Sequence, residues 1–116
     1  MSIKFSIITV VKNGMPYLQD CLTSTLEQKY SNKEIIIIAS ESNDSTEHYL
    51  KENKKKINKL IINSKLNLYE AINKGIKIST GEYIIILHSD DIFFNKNVLK
   101  NVAEFIEKKK LRYNIW

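Results

Sequence analysis

The sequence predicts an α/β fold: a Rossmann-like parallel sheet in strand order 3-2-1-4 with helices on both faces. Three observations carry that reading. Aliphatic runs alternate with helical patterns in the order β-α-β-α-β-α-β-α, which implies parallel strands joined by right-handed crossovers. The runs are nearly continuous and rich in isoleucine and valine, as strands covered on both faces are. Each run ends in a polar loop, and ligands of such sheets bind outside the carboxyl ends of the strands, where strand order reverses. The 116 residues suffice for one domain with a real core. Residues 1–116 show no internal repeat, linker or low-complexity segment.

The elements follow in order. Lys4 to Val11 is β-branched and mostly apolar, and reads as the first strand. Lys12-Asn13-Gly14 ends it, and Pro16 suits the first turn of a helix, where its missing N–H is not needed. Leu18, Cys21, Leu22, Thr25 and Leu26 repeat at helical spacing, to an end near Lys29. Glu34 to Ala39, with four consecutive isoleucines, is a second central strand. Asp44 and Glu47 have the spacing of a capping box. The helix they start carries Tyr49 and Leu50 inward and fades in Lys54-Lys55-Lys56. Ile57 to Ile62 is a shorter, more polar strand, placed at or near a sheet edge. Asn67 starts a third helix with Leu68, Ala71, Ile72, Gly75 and Ile76 on one face, closed by Thr80-Gly81. Tyr83 to Leu87 is five apolar residues in a row, read as a strand buried on both faces. Asn95 caps a last helix with an apolar stripe of Val98, Leu99, Val102, Phe105 and Ile106. Lys108 to Lys110 sit at its C-terminus, where the helix dipole favours cations.

With 43% hydrophobic and 27% charged residues, the chain reads as a globular protein. Its apolar runs are far shorter than a membrane span. Met1-Ser2-Ile3-Lys4-Phe5 enters a strand directly, with no signal-peptide core. Cys21 stands alone among apolar helical positions and reads as a buried thiol, which fits a reducing cytoplasmic location. The net charge is +5, with lysines concentrated at 51, 54–56 and 59 and again at 108–110. Such runs are usually solvated helix faces. The sharper reading is a surface for anions: nucleotides, phospholipid heads or nucleic acid. No interleaving of aromatic and basic residues supports specific nucleic-acid binding.

Three strand ends converge on one sheet edge: Thr9 to Asn13, Ala39 to Asp44, and His88 to Asp91. Asp90 and Asp91 are adjacent carboxylates at the mouth of an apolar strand. Their mutual repulsion is relieved by a positive partner, and a divalent cation carrying a phosphorylated ligand is one solution, since hard cations prefer such oxygens. A solvated turn is the other reading of the same pair.

Four segments together resemble a family-two glycosyltransferase of the GT-A fold. Phe5 to Asn13 resembles the family's opening strand, and Gln28 to Ile38 its second strand and approach. Asn67-Leu68-Tyr69-Glu70-Ala71-Ile72-Asn73-Lys74-Gly75-Ile76 resembles its third helix. Thr80-Gly81-Glu82-Tyr83 through Ser89-Asp90-Asp91 resembles its Asp-x-Asp strand. The segments span nearly the whole chain in the right order and spacing. The resemblance implies a nucleotide-sugar-binding half-domain, with a UDP-sugar as donor and a glycan or lipid-linked hydroxyl as acceptor. It implies a role in cell-surface polysaccharide synthesis, with peripheral attachment at the inner face of the membrane. By the same resemblance Thr9, Val11 and Asn13 contact the base and ribose. Asp90 and Asp91 hold Mn²⁺ or Mg²⁺ and, through it, the diphosphate.

The chain departs from the family's pattern at three places. Ala39 stands where the family has an Asp that accepts from uracil, and Glu41 is the nearest carboxylate, so selectivity for the base should be relaxed. His88 replaces the first Asp of Asp-x-Asp. An imidazole can ligate a metal, but a strand-end histidine is more often a hydrogen-bonding group. Third, the family continues with an acceptor-binding half that carries the catalytic base. Tyr113, Ile115 and Trp116 are apolar enough to begin a further strand. The expectation is therefore a truncated, donor-binding part with no assigned catalytic residue and an apolar face that promotes self-association. The alternative is a non-catalytic nucleotide- or partner-binding module of the same fold. A phospho-receiver domain would need its acidic pair after the first strand, where this chain has Lys12-Asn13.

Overall fold

The computed structural model describes residues 3–113. Four parallel strands form one sheet: β1 (Phe5–Val11), β2 (Lys33–Ser40), β3 (Lys59–Ser64) and β4 (Tyr83–Ile86), in the order β3-β2-β1-β4. The helices are α1 (Tyr17–Leu26), α2 (Thr46–Glu52), α3 (Leu68–Ile78) and α4 (Val98–Tyr113), with a single 3₁₀ turn at Lys54–Lys56. The order of elements and of strands is the one the sequence predicts. Tyr113 belongs to α4 rather than to a further strand. Ile115 and Trp116 lie outside the described residues.

Side chains alternate across the sheet, and this sorts the core into two layers. Phe5, Ile7, Val11, Ile35, Ile37 and Ala39 face α1, α2 and α4, meeting Leu18, Leu22, Leu50 and Leu99. Ile8, Ile36 and Ile38 face α3 and meet Ala71. Gly75 lets α3 lie close on this face, because a Cβ there would stand 2.7 Å from Ile8 Cγ2.

The sheet's amino edge is tied by a buried carboxylate. Glu34 Oε2 accepts from Ser6 Oγ at 2.5 Å, from Thr80 N at 2.6 Å and from Thr80 Oγ1 at 3.0 Å, while Lys59 Nζ lies 3.1 Å from Oε1. Ser6 Oγ in turn accepts from Gly81 N at 2.8 Å. Starts of β1, β2 and β3 and the turn into β4 are thus joined through one side chain.

Four local expectations need correction. β3 begins at Lys59, not Ile57. Asn58 closes the preceding turn by exchanging hydrogen bonds with the Ile35 backbone through its own N and its Oδ1, and Ile57 is buried in the core. Asp44 does not cap α2: the position before the helix is Ser45, and no side chain caps it. Asp44 instead accepts from Met15 N at 3.1 Å and Thr46 N at 2.9 Å. Asn95 accepts from Asn97 N, and it is Gln28 Oε1 that accepts from Leu99 N at 3.0 Å in the first turn of α4. Finally, β4 is not covered on both faces, since Ile84 and Ile86 are 39% and 40% exposed. Among the described residues it pairs only with β1, and α3 sits over β1 and β2. Asn67 and Glu70 do form the reciprocal capping box at the start of α3.

Candidate nucleotide site

The carboxyl edge is organised by hydrogen bonds between loops. Asn13, at φ 50° in the left-handed region, ends β1. Its N donates to Ser42 Oγ at 2.9 Å and its Oδ1 accepts from Asn43 N at 2.7 Å. Gly14 N donates to Thr46 Oγ1 at 2.9 Å. Asp44 completes the staple through Met15 N, and hydrogen bonding from Thr46 holds its carboxyl below the ordinary range. Four contacts therefore fasten the loop after β1 to the loop after β2. On its other side Gly14 meets the loop after β4: a Cβ built on Gly14 would lie 3.6 Å from Ser89 Cβ and only 2.3 Å from Val11 Cγ2. The tight contact is the one with Val11 of β1, while Ser89 would stand at ordinary van der Waals distance.

Asp90 and Asp91 sit on the turn that Gly14 touches. Asp91 N donates to His88 O at 3.0 Å, closing the turn. Both carboxylates are exposed. Among the described residues neither has a hydrogen-bond or ion-pair partner. Below the turn lies Cys21, whose Sγ is 3.4 Å from His88 O and 4.0 Å from Thr9 Oγ1. Burial pushes the Cys21 thiol up to about 11, against the Thr9 hydrogen bond, and the charges of Asp91 and Asp90 add to the rise. The thiol is a buried packing group, as the sequence predicts.

Across the β1 loop from the acidic pair, a cleft of about 450 Å³ opens over the ends of β2 and β3. Lys12, Ser40, Glu41, Ser64, Lys65 and Asn67 line it. Glu41 Oε1 is 2.6 Å from Lys65 Nζ, and that hydrogen bond holds the Glu41 carboxyl below its ordinary range. Glu41 thus reaches the cleft already paired.

Two predicted contacts point elsewhere. Thr9 and Val11 are buried, and the alternation that sends their side chains toward α1 leaves only their backbone at the edge. Asn13 reaches the edge, but its side chain is spent on Asn43. The same alternation separates Ala39 from Ser40. Ala39 packs against α1 and α2, whereas its neighbour Ser40 lines the cleft. The staple formed by Ser42, Asp44, Thr46 and Gly14 was not among the predicted site residues. Its partners lie about 30 positions apart in the chain, and no local pattern announces them.

The donor set at Asp90 and Asp91 suits a hard cation. No group of three His, Cys, Asp or Glu side chains among the described residues is placed to hold a metal ion. Two carboxylate ligands leave most of an octahedral shell to water and substrate phosphate, which is how Mg²⁺ is usually bound.

A parallel sheet of this order, with a cleft and a paired acid turn at its carboxyl edge, is the donor-side architecture of GT-A glycosyltransferases. The chain belongs to glycosyl transferase family 2, whose family model matches residues 6–115. It is 30% identical over 114 residues to glycosyltransferase GlyG of Streptococcus pneumoniae serotype 4, covering 94% of this chain and 37% of GlyG. It is 31% identical over 108 residues to a poly-beta-1,6-N-acetyl-D-glucosamine synthase of Staphylococcus epidermidis, covering 91% of this chain and 26% of the synthase. Among solved structures, S. aureus TarS 1-349 in complex with UDP-GlcNAc superposes with a TM-score of 0.80 at 28% identity, covering 91% of this chain and 32% of TarS 1-349. A mannosyltransferase from Pyrobaculum calidifontis, solved with GDP-Man and Mn²⁺, shares the fold with a TM-score of 0.73 at 20% identity, covering 87% of this chain and 31% of that one. The chain spans about a quarter to two fifths of the length of these relatives.

Proposed function

We propose that the carboxyl edge of this sheet binds a nucleotide-diphosphate sugar and serves as the donor-binding part of a glycosyltransferase acting in polysaccharide synthesis. One juxtaposition carries the reading: the loop after β1 lies between the cleft over β2 and β3, through Lys12, and the unpaired Asp90–Asp91 turn, through Gly14 and Ser89. An elongated ligand with a flat base at one end and a diphosphate at the other matches that layout. The base and ribose occupy the cleft beside Ser40, and Lys12 neutralises phosphate charge. Asp90 and Asp91 hold Mn²⁺ or Mg²⁺, which when bound stabilises the charge on the departing nucleoside diphosphate. TarS, solved with UDP-GlcNAc and with UDP, supports a uridine nucleotide as ligand. The Staphylococcus epidermidis synthase, by its name, supports the polysaccharide role.

Sugar transfer also needs a held acceptor and a base within reach of its hydroxyl. We assign both to the part of the relatives that this chain does not span. A cytoplasmic site fits the buried free thiol of Cys21. Calorimetric titration of UDP, with Mn²⁺ and with a chelator, tests the binding claim. Binding should need the metal and weaken in Asp90→Asn and in Asp91→Asn. Equal affinity with metal and with chelator would remove the metal from the site.

A further inference from the structure

The proposed donor site depends on where one exposed loop holds one lysine. Lys12 follows β1 directly, is exposed, and lines the cleft over β2 and β3. Its ammonium rides on a flexible four-carbon stem, so the backbone that carries it decides what it can reach. Strand pairing does not fix that backbone. The ladder of β1 with β4 ends at Ile8, and the ladder with β2 ends at Val11.

A side chain of the loop after β2 fixes it instead. The N–H of Asn13, which belongs to the peptide unit that follows Lys12, donates to Ser42 Oγ at 2.9 Å. The same hydroxyl donates to Ser40 O at 3.0 Å. A hydroxyl can accept and donate at once, so both bonds are made together. Lys12 and Ser40 both line the cleft, and Ser42 does not. One hydroxyl outside the cleft therefore ties the backbones of two residues that line it. Asn13 stands at φ 50°, a region that residues with a side chain enter rarely, asparagine more readily than most. Two bonds hold it there, the one to Ser42 and the one its Oδ1 accepts from Asn43 N at 2.7 Å. The other two contacts of the staple fasten Gly14 and Met15, farther along the loop. Without the Ser42 hydroxyl, only the Asn13 side chain would tie the stretch between Val11 and Gly14 to the loop after β2.

We propose that Ser42 is a positioning residue for the phosphates of the donor. Bridging Asn13 N and Ser40 O, its hydroxyl holds Lys12 over the cleft, and it acts on the ligand through Lys12. The inference rests on the reading of this edge as a nucleoside-diphosphate site, and it adds a residue that touches no ligand. A lysine whose backbone is already fixed loses less freedom when it meets a phosphate, and that saving appears as affinity.

Calorimetric titration of UDP with Mg²⁺ into the wild-type chain, Lys12→Ala, Ser42→Ala and the double variant tests this as a double-mutant cycle. Each single substitution should weaken binding roughly tenfold. Once Lys12 is gone, Ser42→Ala should cost less than about a further twofold. Ser42→Thr, which keeps the hydroxyl, should keep wild-type affinity. Added salt should weaken UDP binding to the wild-type chain more steeply than to Lys12→Ala or Ser42→Ala, since both variants lose the same charge contact. Should Ser42→Ala fail to fold, Ser42→Cys, with a weak thiol in place of the hydroxyl, carries the same cycle. A wild-type chain that does not bind UDP, or Lys12→Ala binding as tightly as wild type, would overturn the nucleotide reading of the site and this inference with it. With those two results as expected, the same loss from Ser42→Ala in both backgrounds, no loss in either, or a Ser42→Thr chain as weak as Ser42→Ala would overturn the positioning role alone.

Discussion

Replacing Glu34 with glutamine should remove most of the acid sensitivity of this fold. Burial pushes the Glu34 carboxyl up, but hydrogen bonds from Ser6, Thr80 and Lys59 outweigh it and bring it from its ordinary 4.5 down to about 2. Each unit of such a shift corresponds to ~1.4 kcal/mol. The ionised group therefore contributes about 3 kcal/mol at neutral pH, a large part of a small domain's stability. The sign follows from the lowered value: the contribution is complete above about pH 4.5 and fades as pH falls through about 2. Glutamine keeps the shape and one acceptor oxygen, but it loses the ion pair with Lys59 and the charge-assisted bonds from Ser6 and Thr80. Urea unfolding followed by circular dichroism should show Glu34→Gln less stable by about 2–4 kcal/mol at pH 7. The curves for the two proteins should converge as pH approaches that of the folded carboxyl. Curves that stay parallel across the acid range, or equal stability at pH 7, would refute the reasoning.

Gly14→Ala should cost about 1–3 kcal/mol, because the new Cβ would stand 2.3 Å from Val11 Cγ2 in a packed layer. Ser89 would stand at an ordinary contact distance from that Cβ, so UDP binding should change little; calorimetry and unfolding on the same sample check both effects. Cys21, with its thiol raised to about 11, should resist a thiol reagent at pH 8 in the native protein and react quickly once unfolded. Rapid labelling of the native protein would show that the turn above it opens. Ser40→Asp should increase preference for UDP over other nucleoside diphosphates in competition titrations. Ala39→Asp should mainly destabilise the core, since that side chain faces α1 and α2.

The run of isoleucines in β2, the alternation of strands with helices and the Asn67–Glu70 cap made the sheet and its order legible before any coordinates. Tyr83 to Leu87 was misread as doubly covered because a continuous apolar run states what a strand can bury, not what lies over it. Ile84 and Ile86 show the difference. The acid pair at Asp90 and Asp91 was legible as a local cluster. The cleft was not, because Ser40, Lys65 and Asn67 come together only through the pairing of β2 with β3. The family resemblance implied ligand contacts for Thr9 and Val11 and put Ala39 where the family has an Asp. A period of two decides which neighbour faces the edge, and it turns these three inward. Asp44 has the spacing of a helix cap, yet the Met15 amide across the loop claims it. Tertiary hydrogen bonds of that reach leave no trace in local sequence.

The central claim is that one ligand bridges the cleft and the Asp90–Asp91 turn. Amide NMR of the 116-residue chain tests it most directly. Mg²⁺ with UDP should shift Lys12, Asn13, Glu41 and Lys65 together with Ser89 to Asp91, and replacing Mg²⁺ with Mn²⁺ should broaden the amides around Asp90 and Asp91 first. Shifts confined to the lysines of Lys54–Lys56, or Mn²⁺ broadening that spares residues 89–91, would contradict it.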